Sequence, residues 1–166
     1  MTRYFIHIDQ EACWGCKTCE VACKQEFDLP CGIRLISATE INRIVGGKPF
    51  FLYRVNLCRQ CEEPACAKIC PEEAITRRAD GIVVLEEEKC SGCRKCIEAC
   101  PYQAIDFDEN RGTAHKCNLC YHRVDRGLLP ACADNVCLAH CIRFGEVPDG
   151  SGFSAATELV PPGSAS

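Results

Sequence analysis

The sequence lacks most of the features that announce a function. No stretch approaches the ~20 consecutive apolar residues needed to span a bilayer, so no direct membrane insertion is expected. The N-terminus, Met-Thr-Arg-Tyr-Phe-Ile-His-Ile-Asp, has no apolar run ahead of a cleavage site and no twin arginine. That points to a cytoplasmic location. There is no nucleotide-binding glycine fingerprint and no independent catalytic constellation. Nor is there a basic excess, since the formal net charge is −4. A chain of 166 residues holds one domain or two small intimate ones. What it has in quantity is cysteine, eighteen in all. In a short secreted chain that would suggest a disulfide scaffold. Here the cysteines are clustered, which suits a reduced, intracellular protein.

Two of the clusters define the centre of the chain. Cys90-x2-Cys93-x2-Cys96-x3-Cys100-Pro101 has the bacterial ferredoxin spacing for a [4Fe–4S] cluster. Cys58-x2-Cys61-x4-Cys66-x3-Cys70-Pro71 repeats it with a longer second spacer. Three cysteines on one tight loop can each turn a sulfur to a different corner of an iron–sulfur cube. The fourth lies one helical turn away, cannot reach that cube, and ligates the other cluster in two-cluster ferredoxins. This pairs Cys90, Cys93 and Cys96 with Cys70, and Cys58, Cys61 and Cys66 with Cys100. Structural zinc also uses CxxC pairs, but a tetrahedral zinc site takes two pairs rather than triplets ending in Cys-Pro.

Two outer groups flank this centre. Cys13-x2-Cys16-x2-Cys19-x3-Cys23 is the same triplet-plus-one without the proline. The last group is irregular: Cys117-x2-Cys120-x11-Cys132-x4-Cys137-x3-Cys141. Internal comparison chooses its remote ligand. Cys70 leads to Ala74-Ile75, Cys100 to Ala104-Ile105-Asp-Phe107, and Cys137 to Cys141-Ile142-Arg-Phe144. Aligned on the isoleucines, Cys137 falls on the ligand position and Cys141 on an alanine. Cys141 remains the alternative, because the spacer before Cys137 is one residue longer and the proline is missing. By the same crossover, Cys13, Cys16 and Cys19 pair with Cys137, and Cys117, Cys120 and Cys132 with Cys23. Zinc or an empty site stays open for the irregular motif. Four cubes at about −2 each would take the chain to about −12, which disfavours nucleic acid as a partner.

The expected fold is α+β: two nested bacterial-ferredoxin-like units of short strands, short helices and extensive loops. Residues 1–32 and 112–145 form a split outer unit, 33–57 an inserted hairpin, 58–111 the inner unit, and 146–166 a Gly/Pro/Ser/Ala-rich tail without its own core. The alternation of residues 3–9 predicts a strand, and residues 17–27 a helix with Cys19 and Cys23 on one face. Apolar runs 33–44 and 50–57 flank a turn at 45–49. Shorter strand pairs are expected at 74–76 with 82–85, and at 104–108 with 113–116. Gly15 and Gly92 would let backbone N–H groups approach cluster sulfur. Trp14 is either a shield for a cluster or a core residue. Cys31 stands alone at a Pro/Gly turn and reads as a free thiol. His7, His115, His122 and His140 read as solvated or core histidines. Lys17, Lys24, Arg59, Lys68, Arg94, Lys95 and Lys116 adjoin ligands; surface charge is their plain reading, stabilisation of reduced clusters the alternative.

Over residues 3–145 the four motifs, in this order, resemble the four-cluster electron-transfer subunits of dimethyl sulfoxide reductase-type molybdenum and tungsten enzymes. Cys117-Asn-Leu-Cys120-Tyr, Leu129-Pro-Ala-Cys132 and Phe144-Gly145 are similar to that family's last motif. Asp134-Asn-Val-Cys137-Leu138 departs from it, where members have a three-residue spacer and Cys-Pro. With no export signal, the chain looks most like the short cytoplasmic relatives serving tungsten aldehyde oxidoreductases and class II benzoyl-CoA reductases. The resemblance implies a non-catalytic subunit relaying electrons through four [4Fe–4S] clusters. Its partner would be a large tungsten- or molybdenum-pterin catalytic subunit, together with a further electron-transfer or flavin subunit. A free polyferredoxin carrier is the alternative reading.

Overall fold

The structure, a computed structural model, describes residues 2–148. In chain order the elements are β1 (Thr2–Ile8), α1 (Thr18–Phe27), β2 (Ile36–Val45), β3 (Lys48–Leu57), α2 (Ala65–Lys68) and β4 (Ile75–Arg77). There follow β5 (Val83–Leu85), α3 (Lys95–Ala99), β6 (Ile105–Asp108), β7 (Thr113–Lys116), α4 (Tyr121–Val124) and β8 (Ile142–Pro148). The strands form antiparallel pairs: β1 with β8, β2 with β3, β4 with β5, and β6 with β7. The result is an α+β protein of short elements and long loops. No helix among the described residues is long and apolar enough to cross a membrane.

The pairing of β1 with β8 joins sequence ends that no local pattern connects, from Thr2 opposite Pro148 to Ile8 opposite Ile142. Tyr4 and Phe144 stack across it, with ring centroids 5.4 Å apart. β8 runs on through Pro148, past residue 146, where the sequence suggests that a tail begins; residues 149–166 lie outside the described residues.

In the hairpin β2–β3, Val45 faces Lys48 across a two-residue turn. Both turn residues have positive φ, +57° at Gly46 and +78° at Gly47, which suits the twist of a two-residue hairpin. The expected five-residue turn at 45–49 is thus tighter, with the strands absorbing the other three residues. Ile36, Ala38, Val55 and Leu57 bury the hairpin's base, whereas Ile44, Val45, Phe50 and Phe51 are exposed at its tip. The base is clamped from outside. Glu20 of α1 accepts a bond from the Ala38 amide at 2.7 Å. The Gln10 side chain takes the Val55 amide at 2.8 Å and donates to the Val55 carbonyl at 3.0 Å.

Two cores result. The larger gathers Ile8, Ile33, Leu35, Ile36, Val55, Leu57, Ile82, Leu119 and Ile142 with Cys19, Cys23, Cys117, Cys132, Cys137 and Cys141. The smaller joins Ile75, Val83, Ile105 and Ala114 with Cys96. Gln60, buried in the second cysteine loop, stitches the parts together. Its Oε1 accepts from the Val83 amide at 2.8 Å, its Nε2 donates to the Cys117 carbonyl at 2.9 Å, and its own carbonyl accepts from Arg3 at 2.8 Å. Arg123 of α4 likewise reaches Glu26 of α1 at 3.0 Å and Asp134 at 2.5 Å. It holds the 121–131 excursion, which folds into the short helix α4, against the first cysteine helix.

Gly15 and Gly92 have positive φ, +67° and +72°. Close packing is a second reason for glycine at each. A Cβ on Gly15 would overlap the Tyr53 ring, and one on Gly92 the Gly112 carbonyl oxygen. Gly112, at φ +70°, has open space where its Cβ would be. Gly112→Ala is therefore expected to cost only the left-handed backbone penalty, about 1–2 kcal/mol. Gly92→Ala should cost clearly more, because a backbone oxygen cannot swing aside. Thermal midpoints of the two iron-loaded variants check this; equal losses would show that the overlap relaxes.

Candidate metal centres

The leading C-x2-C loop of each motif makes the same local turn. The residue before the second cysteine is left-handed in all four: Gly15 (φ +67°), Gln60 (+49°), Gly92 (+72°) and Leu119 (+53°). Alternation of right- and left-handed residues turns successive N–H groups inward and forms an anion-binding concavity, as at many iron–sulfur sites. In the last loop the Leu119 amide donates to the Cys117 sulfur at 3.4 Å. At Gln60 and Leu119 no glycine signals the conformation. Full burial and, for Gln60, three hydrogen bonds hold a backbone that costs a non-glycine residue about 1–2 kcal/mol.

A second repeated turn follows the remote cysteines. Glu73, Gln103 and His140 have φ of +49°, +50° and +49°. Each lies three residues past a cysteine and donates its amide back to that cysteine's carbonyl: Cys70 at 3.3 Å, Cys100 at 3.1 Å and Cys137 at 2.9 Å. Cys137 thus stands in the same local geometry as Cys70 and Cys100 despite its longer spacer and missing proline.

Thiols of different motifs come together in sets. Cys70, Cys90, Cys93 and Cys96 line one cavity, with Arg94 at its edge. Burial raises Cys96, and the Cys90, Cys93 and Cys70 thiolates raise it further. Burial brings Cys66 to about 11 even against the lowering charge of Lys116, with Cys58 and Cys100 also pushing it up. Cys61 is raised by burial and then by the same two thiolates. Burial, Glu20, Cys13 and Cys137 hold Cys19 at about 12, opposed by the Glu20 amide. Cys23 is raised by burial and by Cys117, Cys120 and Cys19, and Cys132 by burial and by Cys117, Cys120, Cys23 and Cys19. Cys16 goes the other way, lowered by the Thr18 hydroxyl 3.3 Å from its sulfur.

The sets adjoin one another. α1 carries Cys19 to one and Cys23 to the next, four residues apart on one helical face. Cys117 in turn is raised to about 12, first by burial and then by the Cys58 thiolate. α2 carries Cys66, with Cys70 just beyond its end, and α3 carries Cys96, with Cys100 just beyond its end.

Cys141 is a fifth thiol in the first set. Its sulfur lies 3.4 Å from that of Cys137, both buried. Burial and hydrogen bonds to Cys137 and Cys13 raise it. Burial pushes Cys137 up, yet the bond with Cys141 and amides of Cys141, Ile142 and Ala139 leave it below the ordinary thiol value.

The remaining candidates stand apart from the sets. Cys31 is exposed. Trp14 is 66% exposed, which excludes the core-packing alternative. His115 is buried against Glu87 at 2.9 Å, and His122 pairs with Glu26 at 2.7 Å. Arg59, in the second loop, keeps a buried Nε–H with no hydrogen-bond partner among the described residues. Crowded soft thiols, inward-turned amides and an unpartnered guanidinium N–H are an environment that fits an anionic iron–sulfur cluster.

Comparison with known proteins agrees. Residues 49–147 match a 4Fe-4S dicluster domain, and residues 10–26 a 4Fe-4S binding domain. The sequence is 39% identical over 159 residues to a subunit of the anaerobic dimethyl sulfoxide reductase of Escherichia coli, covering 89% of this protein and 76% of that one. The protein belongs to this family of iron–sulfur reductase subunits. A subunit of the tetrathionate reductase of Salmonella typhimurium is 36% identical over 149 residues, covering 89% of this protein and 59% of its own length. A putative dimethyl sulfoxide reductase iron-sulfur subunit of Halobacterium salinarum is 37% identical over 179 residues, 90% of this protein and 68% of that one. As a member of this family the protein is an electron-transfer subunit and carries no catalytic site of its own.

The two thiols at the end of the last motif separate by experiment. Cys137→Ser is expected to lose most of one cluster's iron and EPR signal, and Cys141→Ser to keep them. The reverse ranking would show that Cys141 is the ligand.

Proposed function

We propose that this iron–sulfur subunit holds four [4Fe–4S] clusters and passes electrons to or from a large tungsten- or molybdenum-pterin catalytic subunit. The observation that supports this reading most directly is the meeting of Cys70 with Cys90, Cys93 and Cys96 around one cavity, repeated in spacing by the other motifs. The proposed ligand sets are Cys13, Cys16, Cys19 and Cys137; Cys117, Cys120, Cys132 and Cys23; Cys58, Cys61, Cys66 and Cys100; and Cys90, Cys93, Cys96 and Cys70. Each cluster supplies one-electron storage and transfer. The protein's residues do the rest. They bury many of the thiols, aim amides such as that of Leu119 at sulfur, and keep neighbouring sets close through α1, α2, α3 and the approach of Cys58 to Cys117.

Under this ligation the chain is two nested ferredoxin-like units. Residues 58–111 make the inner one. Residues 1–32 and 112–145 make the outer one, a division supported by the pairing of β1 with β8. The sets then follow one another in the order just given, and the Cys13 and Cys90 sets are the two ends. One end faces the pterin subunit and the other a donor, an acceptor or a further electron-transfer or flavin subunit. A cytoplasmic location is our reading, supported by eighteen free thiols of the kind a reducing compartment maintains.

Anaerobically prepared protein should carry about sixteen iron and about sixteen sulfide, four of each for every cube. About twelve of each, with zinc making up the balance, would mean that the irregular motif holds no cluster. Stripping the iron should unfold the chain, because binding and folding energies are shared at such sites. An apo form with native circular dichroism would refute that coupling.

The relay itself is tested in the complex with the native partner. The isolated subunit should accept electrons from a low-potential dye yet transform no organic substrate. Cys93→Ser should cut turnover in the complex when electrons must cross the Cys90 set. Unchanged turnover with the physiological partner after loss of that cluster would end the relay reading, and purification without any partner at fixed stoichiometry would favour a free carrier.

A further inference from the structure

Seven cations adjoin cysteines in the sequence, and the structure treats one of them unlike the rest. Lys116, the last residue of β7, is 5% exposed. Its ammonium donates to the carbonyl of Val83 and, at 2.8 Å, to that of Cys117. No carboxylate pairs with it among the described residues. Lys68, by contrast, pairs on the surface with Glu63 at 2.6 Å, and Arg94 with Glu109 at 2.5 Å.

A buried ammonium is costly unless an anion compensates it, and two neutral carbonyls do not. Something anionic must share its surroundings. The groups its charge adjoins are Cys117, whose carbonyl it shares with the Gln60 side chain, and the Cys58–Cys61 loop that carries Gln60. These belong to different sets, the Cys58 set and the Cys117 set. The buried Gln60 amide, bonded to the Cys117 carbonyl and the Val83 amide, packs the same junction.

We propose that Lys116 is a fixed positive charge between the two middle clusters, with those clusters as its counterions and their reduced states as what it stabilises. This rests on the cluster reading above. Reduction adds one negative charge to a cluster, so a nearby cation favours the reduced form and raises the potential. In the low-dielectric interior the effect is large at the two adjoining sites and fades towards the Cys13 and Cys90 sets. The middle of the relay is thereby made a more favourable place for an electron than it would be without the lysine. Lys116 acts through the clusters' surroundings and ligates nothing, so it is a positioning charge.

EPR-monitored redox titration of the iron-loaded chain tests this with Lys116→Gln, which removes the charge yet still donates to a carbonyl. The expected result is full iron content with two midpoints moved to lower potential and two unmoved. Lys116→Arg, which keeps the charge, should leave all of them near the wild-type values. Full iron with no midpoint shifted in Lys116→Gln would overturn the proposal, as would an equal shift of every cluster. Loss of iron in both variants would make Lys116 a folding residue and overturn it too. A wild-type chain that holds no iron would instead overturn the cluster reading itself.

Discussion

Crowded, buried thiols are the interaction on which this structure turns. Cys19, Cys23, Cys117, Cys132 and Cys137 sit in the main core where a protein of this size would normally put leucine or isoleucine. Burial and mutual repulsion push Cys19 and Cys117 to about 12. As a free protein core this is poor material, since a thiol fills less volume than a branched side chain and its ionised form is disfavoured. A polycationic iron–sulfur core reverses the balance, because it needs the thiolates and binds them at the positions where the chain has gathered them. Cofactor and hydrophobic core thus occupy the same space, and neither is complete without the other.

The secondary structure is what that arrangement requires. α1 presents Cys19 and Cys23 one turn apart, so a ten-residue helix touches two thiol sets at once. α2 and α3 are only four and five residues long and would not persist alone. They pack against each other and against β4 and β6. The two-stranded ribbons are similarly short and lie between ligand loops, where they fix the spacing of the thiols. Only β2–β3 extends beyond these needs. Its base is welded to the core through Gln10 and Glu20, and its tip carries exposed Ile44, Val45, Phe50 and Phe51.

Much of this was legible in the residues. Triplet-plus-one spacing encodes its own geometry, because a tight loop and one helical turn leave few ways to arrange four sulfurs. Alternation marked the strands, and Gly46-Gly47 marked the hairpin turn. Internal comparison aligned Cys137 with Cys70 and Cys100, and the shared turn at Glu73, Gln103 and His140 has the same register. Less was legible where the cause lies far away in sequence. Gln60 and Leu119 take the conformation that glycine takes in the other two loops, held there by burial and, at Gln60, by partners more than twenty residues distant. The exposure of Trp14, the helix in the 121–131 excursion and the continuation of β8 to Pro148 have no local signature either.

The sequence by itself determined the chemistry: which residues can bind soft metal and how closely they are spaced. These are properties of short stretches, governed by the reach of a few residues. Only the tertiary structure decided how the sets adjoin and what surrounds them. That Cys58 approaches Cys117 and that Lys116 alone among the ligand-flanking lysines is buried both depend on distant segments that packing brings together. Burial is a property of the whole fold. A lysine beside a cysteine reads the same in sequence whether its charge is spent in water or held between two anions.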